Sequence, residues 1–211
     1  MKLVFVHGWG MDARIWDSIV TEFKGHEIHR ADLGFIGGTQ TKGISGKSIY
    51  ITHSLGTMWS LQNHCSDMLG LICVNGFTCF QSFSSERTLR TMQRRLGRNP
   101  SAQMKSFWQG CGLSEDMQNN LDQDLNIDRL HVGLDWLVDW DMSEKLHDLP
   151  VPVMSLGGRD DLVLPQAQMN DHWSGFDLQI NAKAGHVLPL SHPEWCVDRI
   201  KDFMREHDLE K

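Results

Sequence analysis

Three residues of this chain have the types and order that nucleophilic catalysis needs: Ser54, Asp160 and His186. The serine lies in Thr52-His53-Ser54-Leu55-Gly56, between an apolar run (Ile49, Tyr50, Ile51) and a helix-forming stretch, Thr57 to Cys65. A strand, a sharp turn carrying serine and a helix hold a hydroxyl proud of a sheet edge. The helix start also aims N–H groups at whatever the hydroxyl attacks. The usual pattern is G-x-S-x-G, and here Thr52 stands in the first glycine position.

A serine hydroxyl attacks poorly until an imidazole takes its proton. Imidazole titrates near neutral pH and can do so, and a carboxylate on its far nitrogen fixes the tautomer and stabilises the imidazolium. Asp160 and His186 each follow an expected strand, Val151–Leu156 and Phe176–Ile180. The developing oxyanion needs preorganised donors. The Leu55 amide, next after the serine, is one, and the loop after the first strand supplies the other, most naturally Trp9. His192, just ahead of Pro193, reads as a helix-start residue.

The elements that must position these groups alternate. Leu3–Val6 is an unbroken apolar run and reads as a buried parallel strand, ending in His7-Gly8-Trp9-Gly10. Neither a phosphate-loop ending nor G-x-G-x-x-G follows it, which excludes nucleotide-loop readings. Ala13–Phe23 has helical spacing, His26–Ala31 reads as a strand, and Gly34–Lys47 reads as a loop without apolar period. Further strands are expected from near Ser48 and at Leu71–Val74, and helices at Pro165–Trp173 and Pro193–His207. This is an α/β body with a mostly parallel sheet.

From residue 77 to 149 the strand pattern stops. Four helices are expected there: one capped by Ser84 or Ser85, one from Pro100 to Cys111, one from Ser114, and one over 130–138. They lack a long core of their own and read as a cap. The organisation is therefore 1–76 with 150–211 as the core, and 77–149 as the helical cap. Residues 86–105 carry a net +5 and residues 115–148 a net −8. Arg87, Arg90, Arg94 and Arg98 share one helical face, and such a cluster suits an acidic partner.

The whole chain, 211 residues with net charge −7, is long enough for one domain with an insertion. Nothing in it suggests nucleic-acid binding. Five cysteines without metal spacing read as thiols in a reducing compartment. The N-terminus does not read as a signal peptide, and no apolar run is long enough to span a membrane. A cytoplasmic monomer is expected.

Several segments together resemble a known family. They are His7-Gly8-Trp9-Gly10-Met11, Asp32-Leu33-Gly34-Phe35, His53-Ser54-Leu55-Gly56, Gly157-x-x-Asp160-x-Leu162-Val163, and Ala184-Gly185-His186-x-x-Pro189-x-Ser191-His192-Pro193. Over nearly the whole chain the sequence resembles the pimeloyl-[acyl-carrier protein] methyl ester esterases, α/β-hydrolases of biotin biosynthesis. The resemblance implies an α/β-hydrolase fold, no cofactor, and hydrolysis of the methyl ester of pimeloyl-[acyl-carrier protein]. It also implies Ser54 as nucleophile, Asp160 as orienting acid and His186 as base. Trp9 and Leu55 amides would form the oxyanion hole, Trp9 would line the pocket, and cap arginines would meet the carrier protein.

Three departures stand beside the resemblance. Thr52 replaces a glycine. Only 47 residues separate His7 from Ser54, so the helix normally preceding the serine strand is missing and the fold is shortened there. Asp161 adjoins Asp160 and is an alternative acid. The rival activities are a broad short-chain carboxylesterase, a thioesterase or acyltransferase, and a non-catalytic binding protein on the same scaffold.

Overall fold

The computed structural model describes residues 1–38, 40–41, 43–122 and 124–210. Six strands form one sheet: β1 (Lys2–Val6), β2 (Glu27–Ala31), β3 (Ser48–His53), β4 (Met68–Val74), β5 (Val153–Gly158) and β6 (Asp177–Asn181). Their order is β2-β1-β3-β4-β5-β6, and every pair is parallel. β1, β3 and β4 are almost entirely buried, as continuous apolar runs require when both faces of a sheet are covered. The direction of strand addition reverses between β1 and β3. In open α/β sheets the crevice beyond such a reversal is where ligands sit, and the loop after β1 and the turn after β3 both open there.

Helix α1 (Asp17–Val20), preceded by a 3-10 turn at Ala13–Trp16, is shorter than the spacing of apolar residues suggests. Asp12 caps the 3-10 turn, accepting from the Arg14 N–H and pairing with its guanidinium. α2 (Leu55–His64) follows the serine directly. The insertion between β4 and β5 holds α3 (Glu86–Arg98), α4 (Pro100–Cys111), α5 (Glu115–Asp122), α6 (Ile127–Asp139) and a fifth helix, α7 (Ser143–His147). The sequence reading lacks α7, whose single turn is too short to show a period. Ser85, Asn99 and Asn126 cap α3, α4 and α6, each side chain accepting an N–H three residues on. The body closes with α8 (Gln166–His172), α9 (Leu188–Ser191) and α10 (Pro193–Glu206).

Between β2 and β3 the described residues contain no helix. The segment instead lashes the body to the insertion. Ile36 bridges Leu125, the Gly37 N–H donates to the Asp124 carbonyl at 2.8 Å, and Arg129 Nε donates to the Leu33 carbonyl at 2.7 Å. Below it, Tyr50 is fully buried and stacks on His64 of α2, with ring centroids 5.6 Å apart, while Ile44 is buried alongside. The loop thus seats α6.

Thr52 is accommodated by a small neighbour. Its hydroxyl shares a hydrogen bond of 2.8 Å with that of Thr57 and reaches the Ile72 carbonyl at 3.3 Å. Gly76 makes the room, since a Cβ there would lie 2.3 Å from Thr57 Oγ1. Thr52→Val keeps the shape and removes the hydroxyl from a buried pair. It should lower unfolding free energy by about 1–2 kcal/mol, read by urea denaturation. Unchanged stability would show that Thr57 finds full compensation elsewhere.

Candidate active site

Ser54 sits between β3 and α2 with φ 53° and ψ −125°, a backbone conformation an L residue adopts only when its surroundings impose it. The Ser54 N–H donates to the Val74 carbonyl at 3.1 Å, tying the turn to β4. Two glycines permit the turn. A Cβ at Gly8 would lie 2.8 Å from Ser54 Cβ, and one at Gly56 would lie 2.7 Å from the carbonyl oxygens of both Val6 and His7. The loop after β1 therefore presses directly against the serine. Leu55 opens α2, where the first amides of a helix have no carbonyl partner within it. Trp9 itself is held from above: its indole N–H donates to the Leu130 carbonyl of α6 at 2.9 Å, and Gly133 of α6 admits the ring.

His186 approaches from the loop after β6. Its Nε2 is 3.1 Å from Ser54 Oγ, and its Nδ1 is 2.8 Å from Asp161 Oδ2. With the carboxylate accepting, Nδ1 carries the proton and Nε2 faces the hydroxyl as an acceptor. Ser54, His186 and Asp161 are all buried.

The structure corrects the acid. Asp160 is 65% exposed at its side chain and lies near Arg159 at 3.7 Å, away from His186. Its backbone N–H instead donates to the Ala184 carbonyl, which aligns the two loops. Asp161 turns inward because its Oδ1 accepts the N–H groups of Val163 (2.7 Å) and Leu164 (2.9 Å). This is an Asx-type turn, and Pro165 then leads into α8. No local pattern separates Asp161 from its neighbour, since both aspartates precede the same turn and the same proline-led helix. Burial alone would raise the Asp161 pKa, but the His186 imidazole and the two backbone donors outweigh it and hold the carboxyl below its usual range.

His53 is the residue the sequence reading passed over. It is wholly buried, lies against His186 with the rings tilted and their centroids 5.1 Å apart, and is joined through Nε2 to the His186 carbonyl at 2.9 Å. A carbonyl can only accept, so Nε2 carries the proton and Nδ1 is bare. Burial, reinforced by the neighbouring His186, pushes the pKa of His53 down to about 3. It is a neutral strut for the histidine loop.

The serine opens onto a cavity of about 230 Å³. Phe77, Phe80 and Phe83 form one wall, Leu89 and Met92 of α3 with Phe107 of α4 form another, and Leu162 stands 82% exposed at the rim. Among the described residues no Asp, Glu, Lys or Arg lines it. On the outer face of α3, Arg87, Arg94, Arg95 and Arg98 are exposed. Arg90 is half-buried and engaged by Glu86 at 3.2 Å and Asp135 at 3.7 Å. The exposed basic face thus includes Arg95 and uses Arg90 less than its spacing implied.

Residues 40–199 match a family model described as the alpha/beta hydrolase family. Over 95% of its length and 93% of the relative's, the chain is 27% identical to a protein named pimeloyl-[acyl-carrier protein] methyl ester esterase from Pectobacterium atrosepticum. A protein of the same name from Citrobacter koseri is 26% identical, with 92% and 90% covered. Among solved structures, an esterase from Exiguobacterium antarcticum superposes with a TM-score of 0.82 at 14% identity, covering 97% of this chain and 92% of that one. An enol-lactonase from Burkholderia xenovorans LB400 gives 0.81 at 12% identity, covering 97% and 91%. At such identities the structural likeness concerns the fold.

Asp161→Asn should lower kcat on a chromogenic short-chain ester by about 10⁴-fold, because the amide favours the wrong imidazole tautomer. Asp160→Asn should stay within a few-fold of wild type. The reverse ranking would restore Asp160 as the acid. His53 generates a second expectation. An unfolded histidine protonates near pH 6.5, whereas the buried one resists until about 3. Its contribution is fully present above the unfolded value and is lost as pH falls toward the folded one. Stability should therefore fall with acidification by up to ~1.4 kcal/mol per pH unit in that window. Urea titrations from pH 7 to 4 should show a shallower decline for His53→Gln.

Proposed function

Because the chain belongs to the alpha/beta hydrolase family and has its fold, we propose that it is a serine ester hydrolase. Its substrate is the methyl ester of pimeloyl-[acyl-carrier protein], a step of biotin biosynthesis. The observation that carries the hydrolase reading is the hydrogen-bond chain from Ser54 through His186 to Asp161, opening on an apolar cavity.

Ser54 Oγ attacks the ester carbonyl as His186 Nε2 takes its proton. The Trp9 and Leu55 amides receive the oxyanion, a stabilisation of about 3–4 kcal/mol per well-placed donor. Collapse returns the proton from Nε2 to the departing methoxide, releasing methanol and leaving an acyl-serine. Water then attacks, His186 takes its proton, and the second collapse frees the carboxylate and restores Ser54 Oγ–H. Asp161 remains ionised throughout and stabilises the imidazolium. A neutral ester and its alkyl chain suit an uncharged cavity, and the carboxylate product does not, since burying an unpaired charge is costly. Product release is thereby favoured.

Two features support a carrier-bound substrate. The relatives named above act, by their names, on such a carrier. Ser84, Leu89 and Met92 at the cavity lie at and within the first turns of α3, whose outer face carries the exposed arginines. An acidic carrier docked there would stand beside the opening. In this reading residues 77–149 act as the cap over a core of 1–76 and 150–211. The enzyme works as a cytoplasmic monomer, consistent with five unpaired thiols. No helix among the described residues is long and apolar enough to cross a membrane.

The test compares methyl pimeloyl-carrier protein with a free short methyl ester, with Ser54→Ala as control. The double reversal Arg94→Glu with Arg95→Glu should lower kcat/KM on the carrier-bound ester at least tenfold, with a weaker salt dependence, and leave the free ester unaffected. Equal efficiency of wild type on both substrates would favour a broad carboxylesterase. Faster cleavage of the thioester than of the methyl ester would favour a thioesterase.

A further inference from the structure

Asn75 is the first residue past β4, fully buried, with φ 46°. Its N–H donates to the Leu156 carbonyl of β5 at 2.7 Å. Glycine would accept this left-handed backbone freely, so the backbone alone does not explain a side chain there. That side chain reaches two loops at once. Asn75 Nδ2 donates to Asp161 Oδ2 at 2.7 Å, the oxygen that also accepts from His186 Nδ1, and lies 3.4 Å from the carbonyl oxygen of Gly185, the residue before His186. Its own Oδ1 is buried without a partner among the described residues. Burying that oxygen costs free energy, and the amide's two contacts offset it.

We propose that Asn75 is a positioning residue for ester hydrolysis: its amide bridges the aspartate loop and the histidine loop, sets their separation, and holds Asp161 Oδ2 as an acceptor toward His186. Three backbone and side-chain donors then surround the carboxylate besides His186: Val163 and Leu164 on Oδ1, Asn75 on Oδ2. Rotation of the carboxyl would break at least two of these bonds. The amide also draws off part of the negative charge on Oδ2, which limits how strongly Asp161 favours the protonated imidazole. The other titratable groups around the pair are His53 and His7 on the serine side and Cys111 of α4. Asp160 faces solvent.

This role rests on the hydrolase reading, so its test uses a probe that needs only an activated serine. Labelling of Ser54 by a fluorophosphonate, followed from pH 5 to 9, is compared with turnover of a short methyl ester in wild type, Asn75→Gly and Asn75→Asp. Asn75→Gly keeps the left-handed backbone and removes the amide. Asn75→Asp keeps the shape and sets a second carboxyl against Asp161. The expected results are a labelling rate at least tenfold lower for Asn75→Gly. For Asn75→Asp, the acid limb of the profile should move to higher pH by about one unit, because added negative charge favours the imidazolium. Thermal unfolding of each variant gives the folded fraction. Labelling rates and acid limbs equal to wild type in both variants would overturn the proposal. So would a loss in Asn75→Gly that merely follows its folded fraction, with the limb unmoved. Should Asn75→Asp not fold, the rate and profile of Asn75→Gly decide. Normal labelling of wild type with no ester turnover would instead count against the ester substrate while leaving the bridge intact.

Discussion

Where α2 leaves the serine turn, its backbone runs against the end of β1 so closely that one methyl group at Gly56 would meet two carbonyl oxygens at 2.7 Å. The rest of the site depends on that approach. It brings the loop after β1 under the serine, so that Gly8 faces Ser54. It also forces Ser54 into a conformation that an unconstrained residue avoids. The strain is held by the parallel pairing of β3 with β1 on one side and β4 on the other. A rigid centre of the sheet is thus the condition for a hydroxyl aimed into the cavity.

Around this fixed point the remaining groups arrive on loops, and loops need bracing. The histidine loop is held at its carbonyls, by His53 at His186 and by Asn75 at Gly185. The aspartate loop is held by its own turn and by the Asp160 N–H on Ala184. The insertion is held at both ends: Cys79 bridges Asp141, and the Met142 N–H donates to the Thr78 carbonyl at 2.8 Å. The Thr78 N–H in turn donates to His172 of α8, whose burial lowers its pKa and favours the neutral, accepting ring. Trp9 connects the body to the insertion, its indole bonded to α6. The segment between β2 and β3 secures the same N-terminal end of α6, at Leu125, Asn126 and Arg129. A body without a helix at that place therefore still seats the insertion, through the contacts of this loop.

Much of this was legible from the chain alone. Continuous apolar runs marked the strands, since strands covered on both faces carry no polar alternation. Caps and prolines marked the starts of α3, α4 and α10. Ser54 and His186 stood out because each residue type sat just past a strand, and the parallel order brought those strand ends to one edge. Short elements were less legible. α7 and the 3-10 turn before α1 are single turns, and their sequences show no period to read.

By itself the sequence determined the α/β body, the helical insertion, the serine turn and the histidine that meets it. These follow from local patterns: apolar runs, caps, and glycines where backbones must touch. Only the tertiary structure decided between Asp160 and Asp161, because adjacent side chains point apart and the choice depends on which one turns toward a histidine 25 residues away. It also decided that Thr52 fits, through the space left at Gly76, and that Arg90 is engaged by Asp135 while Arg95 is exposed. The same holds for His53 and Asn75, whose importance lies in bonds to the loop at 185–186. Such bonds join residues more than a hundred positions apart, and no local pattern encodes them.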